Sequence, residues 1–427
     1  MKKSNNAVFL IIAIIVNVLT YTINLFGGSS ISFYHLISIN LIFISISSYY
    51  FFSRKDFLNP VGLFFISWLL LVGISQLKLS YFQHYWSIKA WVVILGSFMS
   101  FLLGYMYIKI FLLKSKKKND QGINTERLFW VIVTLVALCI LSLLIEINAL
   151  KFIPLFSEDP SAYKMFSYKF FHFIVVLVAI VPPLTILYKS NKGKRNIWYF
   201  NIISIIIPIL IVSRQLIIFE VVTMLIVYHY CIKPFKLKTI FVISICAIIL
   251  FSAASVLRQQ DSEFMFEASN FKDAQFSLIA QPYMYFTMGF DNVNNLVNYN
   301  VQFDNGKRLL KGLELFTRIE INISSGEEYL VTPTFTAPTY LYSLYLDFGV
   351  LGTLIAPFLI GVIISLLYEK RESNNLNIVI YSMMLYCLLF SFFVNWYYNT
   401  TMILFFVVTI LIKFLVTKNR TRISIKK

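Results

Sequence analysis

Apolar runs of about twenty residues recur along almost the whole chain, and they constrain its fold more than any other feature. A run of that length matches the ~20 residues that an α-helix needs to cross a bilayer. The predicted spans cover residues 7–26, 31–52, 60–77, 90–113, 128–148, 170–188, 196–213, 215–232, 239–256, 336–367, 377–397 and 400–417. The first run is too long for a signal-peptide core and is taken as a retained span. The sequence therefore predicts an all-α polytopic membrane protein of about 12 transmembrane helices.

The basic residues give the predicted orientation of these spans. The net charge of +17 first suggests a nucleic-acid partner, but the chain is only 13% charged and 58% hydrophobic. If the N-terminus is cytoplasmic, about two-thirds of the Lys and Arg residues fall in cytoplasmic turns and in the tail KNRTRISIKK, as the positive-inside rule expects. The charge then reflects membrane orientation, with both termini cytoplasmic, and no nucleic-acid partner is expected.

One long polar segment, residues 257–335, interrupts the apolar pattern between predicted spans 9 and 10, and we call it the large loop. The orientation places it outside the cytoplasm, and it holds half of the 20 acidic residues. We therefore expect three parts: a transmembrane region of about nine spans (1–256), the large extracytoplasmic loop with amphipathic helices (257–335), and about three further spans with a basic tail (336–427). Residues 336–367 could instead form a short interfacial element followed by a span that starts near Asp347.

The chain has no motif for metal or serine-type chemistry. Its four cysteines lie in or beside apolar runs without CxxC spacing, and none of its four histidines lies in the large loop. Neither HExxH, nor a phosphate-binding glycine loop, nor a nucleophile elbow is present. We therefore expect no metal site and no cofactor.

Arginines at the predicted outer membrane face are the sharpest candidates for function. Arg214 lies in the three-residue turn between two apolar runs. Glu220 follows six residues later inside a span, where an ionised carboxylate is costly unless it is paired or faces a water-filled cavity. Arg258 directly follows the ninth span. A snorkelling arginine and a neutral glutamate in a helix contact are the alternative explanation.

The stretch NGKRLLKGLELFTRIE in the large loop predicts an amphipathic helix. Apolar side chains fall on one face, and Arg308, Lys311 and Arg318 fall on the opposite one. Such a helix suits a membrane surface, although a solvated face over ordinary packing explains the pattern too. Together with Arg214 and Arg258, these groups suit a diphosphate, because guanidinium forks bind phosphate oxygens in pairs.

Aromatic and amide residues are dense in QFSLIAQPYMYFTMGFDNVNNLVNY, also in the large loop. The rings of Tyr283 and Tyr285 are candidates for stacking on sugars, and a partly buried loop helix is an equally good explanation.

The chain resembles the bacterial oligosaccharide repeat-unit polymerases, the O-antigen or Wzy-type family. The resemblance rests on TPTFTAPTYLYSLYLDFGVLG with its Asp347-Phe348-Gly349, on Ser213-Arg214 in the tight turn of a hairpin, on the edges of the large loop, and on the layout of about a dozen spans. Some members carry paired Arg-x10-Gly patterns. Here the residues eleven positions after Arg214, Arg258 and Arg318 are Leu225, Ser269 and Tyr329, so that pattern is absent.

The resemblance implies a glycosyltransferase at the outer face of the bacterial inner membrane. Its donor would be a growing glycan on undecaprenyl diphosphate, and its acceptor one lipid-linked repeat unit; a chain-length regulator protein is a usual partner in the family. Arginines would stabilise the leaving diphosphate without a metal, and a carboxylate would take the proton of the attacking hydroxyl. The candidates for that base are Glu320, Glu327, Glu328 and Asp347, among which the sequence does not choose, and Asp347 is also suited to cap the helix that begins FGVLG.

The expected catalytic set is therefore Arg214, Arg258, Arg318, Asp347 and Glu320, and the expected substrate-binding set is Arg308, Lys311, Glu220, Glu327, Tyr283 and Tyr285.

Two other classes stay open. An O-antigen ligase has a similar layout and uses the same kind of donor, but by resemblance it carries a functional histidine in its large loop, which this chain lacks. A flippase or other transporter is favoured by prolines that could break helices, at Pro182-Pro183, Pro208 and Pro357, but no internal repeat is evident.

Overall fold

The computed structural model describes residues 33–418 except 55, 113–121, 160–161, 236–261, 274, 276, 318 and 372–375. Within this part of the chain the secondary structure is helical and contains no strand. Two isolated bridges join Ser80 to Phe271 and Ile123 to Thr417. The prediction of an all-helical chain is confirmed for the described residues.

Ten of the predicted apolar runs coincide with helices, and the other two, 7–26 and 239–256, lie outside the described residues. The helices up to residue 231 are α1 (Phe33–Ser53), α2 (Pro60–Ser75), α3 (Ile88–Tyr107), α4 (Thr125–Leu150), α5 (Lys169–Ser190), α6 (Tyr199–Leu210) and α7 (Arg214–Cys231). The later helices are α8 (Ser262–Ser269), α9 (Ser277–Asn298), α10 (Lys307–Lys311), α11 (Glu314–Thr317), α12 (Tyr340–Glu369), α13 (Asn377–Leu389) and α14 (Thr400–Val416).

Among the described residues, six helices are long and apolar enough to cross a membrane: α1, α3, α4, α5, α7 and α12. Four shorter helices, α2, α6, α13 and α14, are also apolar. The chain is therefore a membrane protein, and the count of twelve spans stays a prediction.

Side chains at the ends of the apolar runs set where several helices begin. Asn59, Ser87, Asn124 and Asn399 each precede a helix and accept a hydrogen bond from a backbone N–H of its first turn, at 3.0–3.2 Å. These bonds satisfy donors that have no partner inside the helix.

Three helices are interrupted, each with a local cause or signature. Within α2, Phe65–Leu70 form a π-helical segment. Within α5, the 3-10 segment Leu177–Ile180 is followed by a second α-helical segment with Pro182-Pro183 in its first turn. Proline is tolerated there because backbone N–H groups of the first turn have no acceptor inside the helix. Gly349 breaks α12 with φ 60° and ψ −148°, a conformation that glycine adopts far more readily than other residues.

The chain divides into two compact units that interleave along the sequence. Unit 1 comprises Met1–Lys109, Ser262–Ile363 and Cys387–Tyr398, and unit 2 comprises the remainder. The core of unit 1 centres on Trp68, which packs edge-to-face on Phe290 and Tyr340, each at 5.0 Å between ring centroids. In unit 2, Phe219 of α7 packs in the same way on Tyr386, also at 5.0 Å.

Close backbone approach fixes two helices of unit 1 against each other. A Cβ added at Gly104 of α3 would overlap the carbonyl oxygen of Phe358, and one added at Gly361 of α12 would overlap that of Phe101. Small residues permit this kind of helix contact in membrane proteins, where dispersion between close backbones stabilises the pair.

Candidate functional site

Asp347 of unit 1 fastens the large loop to α12. Its side chain is fully buried, and its two carboxylate oxygens accept the backbone N–H groups of Arg308 at 3.0 Å and of Leu309 at 3.1 Å. The backbone N–H groups of Asp304 and Asn305 also donate to carbonyl oxygens of Leu346 and Asp347. The carboxylate thus caps α10, a helix of the loop, rather than the helix segment that follows Asp347 in sequence.

Arg308 is held inside the loop by three hydrogen bonds. Its Nε donates to Asp304 at 2.7 Å, and one terminal nitrogen donates to the carbonyl and hydroxyl oxygens of Ser324 at 2.7 and 2.8 Å. Only 10% of the Arg308 side chain and 12% of the Asp304 side chain are exposed. The guanidinium therefore binds mainly other residues of the large loop.

The predicted single amphipathic helix is two short helices, α10 and α11, because the chain turns at Gly312-Leu313 between them. Glycine has a low helix propensity, which favours an ending at that point. Leu310, Phe316 and Ile319 remain between 44% and 63% exposed. The other candidates of the predicted sets on this loop, Lys311, Glu320 and Glu327, are exposed as well.

The two candidate tyrosines of α9 lie in different surroundings. Tyr283 is buried, and its hydroxyl donates to Gln83 at 2.7 Å and accepts the N–H of Leu79 at 3.3 Å. Burial raises the pKa of the Tyr283 phenol. Tyr285 is half-buried and packs edge-on against Phe335 at 5.7 Å. Tyr283 is thus part of an interior network and offers no open ring face to a sugar.

That network contains a buried ion pair that the sequence analysis missed. Lys78 Nζ lies 2.7 Å from Asp291 Oδ1, and the two side chains are 6% and 2% exposed. The indole N–H of Trp86 donates to the same oxygen at 2.9 Å, and the Gln83 amide donates to Asp291 Oδ2 at 2.9 Å. Burial lowers the pKa of Lys78, and the Asp291 carboxylate opposes that shift. The pair ties α9 of the large loop to the segment between α2 and α3.

In unit 2, Arg214 is the first residue of α7, directly after the turn that the sequence predicts. It is half-buried. Glu220, on the same helix, is 1% exposed, and neither of its carboxylate oxygens has a hydrogen-bond partner among the described residues. Arg258 and Arg318, the two other arginines of the predicted catalytic set, lie outside the described residues.

A second missed pair lies where α4 ends and α5 begins, also in unit 2. Glu146 Oε1 lies 3.3 Å from His172 Nδ1, and it accepts the backbone N–H of Tyr168 at 2.8 Å. Sequence periodicity gave no signal for the pair, because a lone glutamate and a lone histidine in separate apolar runs each fit an ordinary helix contact.

The end of α4 also borders a shallow, mostly apolar depression of about 630 Å³. It is lined by Leu144, Ile147, Asn148, Lys151, Phe152, Ile153 and Phe156. Lys151 has a left-handed backbone conformation, φ 63°, which ends the helix, and its ammonium donates to Asn148 at 2.8 Å.

No group of three or more His, Cys, Asp or Glu side chains within the described residues is placed to hold a metal ion.

Comparison with protein families gives one match that spans most of the chain. Residues 5–394 match the family model described as "Putative O-antigen polymerase". No curated protein and no solved structure matches the chain.

Proposed function

Since the chain belongs to the O-antigen polymerase family and is a membrane protein with a polymerase role in O-antigen synthesis, we propose that it transfers a growing glycan from undecaprenyl diphosphate onto a single lipid-linked repeat unit. The family match over residues 5–394 is the observation that carries the proposal. The reaction takes place at the outer face of the bacterial inner membrane, and both termini are cytoplasmic. A chain-length regulator protein is its proposed partner.

The reaction is a substitution at an anomeric carbon. A hydroxyl oxygen on the terminal sugar of the acceptor attacks the carbon that bears the diphosphate, and a glycosidic C–O bond forms as the bond to the diphosphate oxygen breaks. The lipid diphosphate leaves with the bonding electron pair, and the hydroxyl proton passes to a base. Negative charge therefore grows on the leaving group, and fixed positive groups lower the barrier where they meet that charge.

Arg214 is the described residue best suited to meet the leaving diphosphate. It begins α7, so a residue with a permanently charged guanidinium stands at the end of an 18-residue helix that also carries the free N-terminal backbone N–H groups. Helix N-termini and guanidinium groups both favour phosphate oxygens. Arg258 and Arg318 are proposed to assist, and this chemistry requires no metal.

The contacts of the large loop give its residues different proposed roles. Arg308 and Asp347 shape the loop, because their polar groups bind other parts of it. Lys311, Glu320 and Glu327 are exposed and free to meet sugar hydroxyls or phosphate as substrate arrives. Tyr285 is proposed to border the sugar, while Tyr283 supports the loop helix from inside. Glu220, whose carboxylate oxygens have no hydrogen-bond partner among the described residues, is proposed to contact substrate from the helix that carries Arg214.

Deletion of the gene, followed by gel analysis of surface lipopolysaccharide, tests the proposal. Loss of the ladder of long chains, with one repeat still attached to the lipid A core, is the expected result, and the wild-type gene should restore the ladder. Loss of every attached repeat would instead assign a ligase, and an unchanged ladder would contradict a role in the polymer. Purified protein should also extend a lipid-linked repeat unit in a vesicle without any other enzyme.

A further inference from the structure

A carboxylate and an imidazole face each other in unit 2, at the junction of α4 and α5. Glu146 lies one turn before the end of α4, and His172 lies in the first turn of α5. Nδ1 of His172 is 3.3 Å from Oε1 of Glu146, which is ion-pair distance without an aligned hydrogen bond. Such bonds are often loose in an empty site and tighten when substrate binds.

Burial and a backbone hydrogen bond fix the carboxylate in place. The Glu146 side chain is fully buried, and Oε1 accepts the N–H of Tyr168 at 2.8 Å. Oε2 is buried and has no hydrogen-bond partner among the described residues. A buried carboxylate is costly unless polar groups lie close to it, and here those groups are the Tyr168 N–H and the adjacent imidazole.

The imidazole is partly exposed. Of the His172 side chain, 26% remains exposed, while Glu146 is fully enclosed. Because Nδ1 faces the carboxylate, Nε2 is the ring nitrogen left for a second partner. A carboxylate that orients an imidazole ring and stabilises the imidazolium formed on proton transfer is the arrangement by which histidine acts as a general base.

The predicted topology places this pair at the same end of unit 2 as Arg214. If α4, α5, α6 and α7 cross the membrane in turn, as their apolar runs predict, then the end of α4, the start of α5, the end of α6 and the start of α7 lie on one side of it. The 3-10 turn Pro154–Phe156, between α4 and α5, contacts α6, and the second half of α5 contacts α7. His172 and the start of α7 at Arg214 therefore belong to one face.

We propose that His172 is the general base of the glycan transfer, and that Glu146 is a positioning residue that orients its ring. The inference rests on the proposed function. Nε2 takes the proton of the acceptor hydroxyl as its oxygen bonds to the anomeric carbon, while the diphosphate leaves with the electron pair of the broken bond. The resulting imidazolium, beside the Glu146 carboxylate, returns the proton to the departed diphosphate or to water.

The carboxylates of the large loop suit this step less well. Asp347 is fully buried, with both oxygens bound to backbone N–H groups. Glu320 and Glu327 are exposed to water, so burial does not hold either carboxylate in one orientation. The Glu146–His172 pair is oriented and half-enclosed at the same end as the helix start that carries Arg214.

Steady-state kinetics on the purified full-length protein, with a lipid-linked repeat unit as substrate, tests the inference. His172→Gln fills similar space but cannot accept the proton, so kcat should fall by about 10²-fold or more, the usual contribution of a general base, with KM within about threefold of wild type. Glu146→Gln keeps an oxygen for the Tyr168 N–H but removes the charge, and its kcat should fall less. Added imidazole should restore part of the rate of His172→Ala and leave Glu146→Gln unchanged.

The control is His84→Ala, because His84 is an exposed histidine in the segment between α2 and α3, and its kinetics should equal those of wild type. His172→Gln with a kcat within threefold of wild type would overturn the inference and leave the polymerase proposal intact. Loss of activity in His172→Ala without imidazole rescue, together with a lowered melting temperature, would assign a packing role and also overturn it. If wild-type protein itself forms no polymer, the proposed function fails instead.

Discussion

Neutralising Asp291 should destabilise unit 1 far more than neutralising an exposed acid. In Asp291→Asn, the Lys78 ammonium stays 6% exposed and loses the carboxylate that lies 2.7 Å away, while Asn still accepts a hydrogen bond from Trp86 or Gln83. Removing one partner of a buried ion pair costs about 3–5 kcal/mol, because the remaining charge is uncompensated. We expect a loss of that size in the free energy of unfolding.

Thermal unfolding of purified protein in detergent, followed by tryptophan fluorescence, measures this loss. For a unit of 150–250 residues, each kcal/mol shifts the melting temperature by about 2–4 °C, so the expected shift is about 6 °C or more. The control is Glu126→Gln, which breaks the Arg195–Glu126 pair, whose side chains are 46% and 60% exposed. An exposed pair is worth about 0–1 kcal/mol, so this variant should melt within about 4 °C of wild type.

A double variant separates the buried charge from other effects of the substitution. Lys78→Met combined with Asp291→Asn removes both charges and keeps an acceptor for Trp86, so it should melt above Asp291→Asn alone. If the double variant melts no higher than Asp291→Asn, or if Asp291→Asn melts like the Glu126 control, the reasoning from the buried pair is refuted.

Four further outcomes are expected. Arg214→Ala should abolish long glycan chains at unchanged protein level in an immunoblot, and a normal ladder would remove this residue from the site. A cysteine at the exposed Asn298 should react with a membrane-impermeant thiol reagent in spheroplasts; reaction only after lysis would reverse the predicted topology. Gly104→Ala should lower the free energy of unfolding by about 1–3 kcal/mol, because the added Cβ would overlap the Phe358 carbonyl. Its control, Gly122→Ala, should be neutral, since the nearest atom to the added Cβ is 3.8 Å away. Equal melting temperatures of the two variants would contradict the close contact at Gly104. Polymer synthesis should survive thorough chelation of divalent metals, and its loss, restored by added metal, would contradict the metal-free mechanism.

Helix positions could be predicted from the sequence because a helix that crosses a membrane requires a long run of apolar residues. The run predicted at 128–148 is α4, Thr125–Leu150, and the hairpin turn predicted at Ser213-Arg214 is where α7 begins. An apolar run and a short polar turn are both visible in a continuous stretch of sequence, so they can be predicted without knowing which helices pack together. The predicted amphipathic helix was wrong as a single element, because Gly312-Leu313 turn the chain where the pattern of charges gave no sign of it.

The two buried pairs could not be predicted, since each depends on residues that are distant in sequence. Lys78 and Asp291 are 213 positions apart, and neither lies in a motif. Glu146 and His172 are closer, but their meeting depends on how the segment between α4 and α5 folds back. The sequence suits Asp347 to cap the helix segment that follows it, and this alternative is wrong, because its carboxylate caps α10 in the large loop. Charge and spacing identify candidates, and only tertiary contacts assign their partners.

The break at Gly349 separates α12 into two arms that need not move together. The arm before it, which ends at Asp347-Phe348, receives four backbone N–H groups from residues 304–309 of the large loop. A tilt of this arm would therefore carry α10 with it. The arm after Gly349 is packed closely on α3, because Gly361 lies against the backbone of Phe101. The large loop is thus fastened to the arm of α12 that precedes Gly349, while the close contact with α3 lies on the arm that follows it.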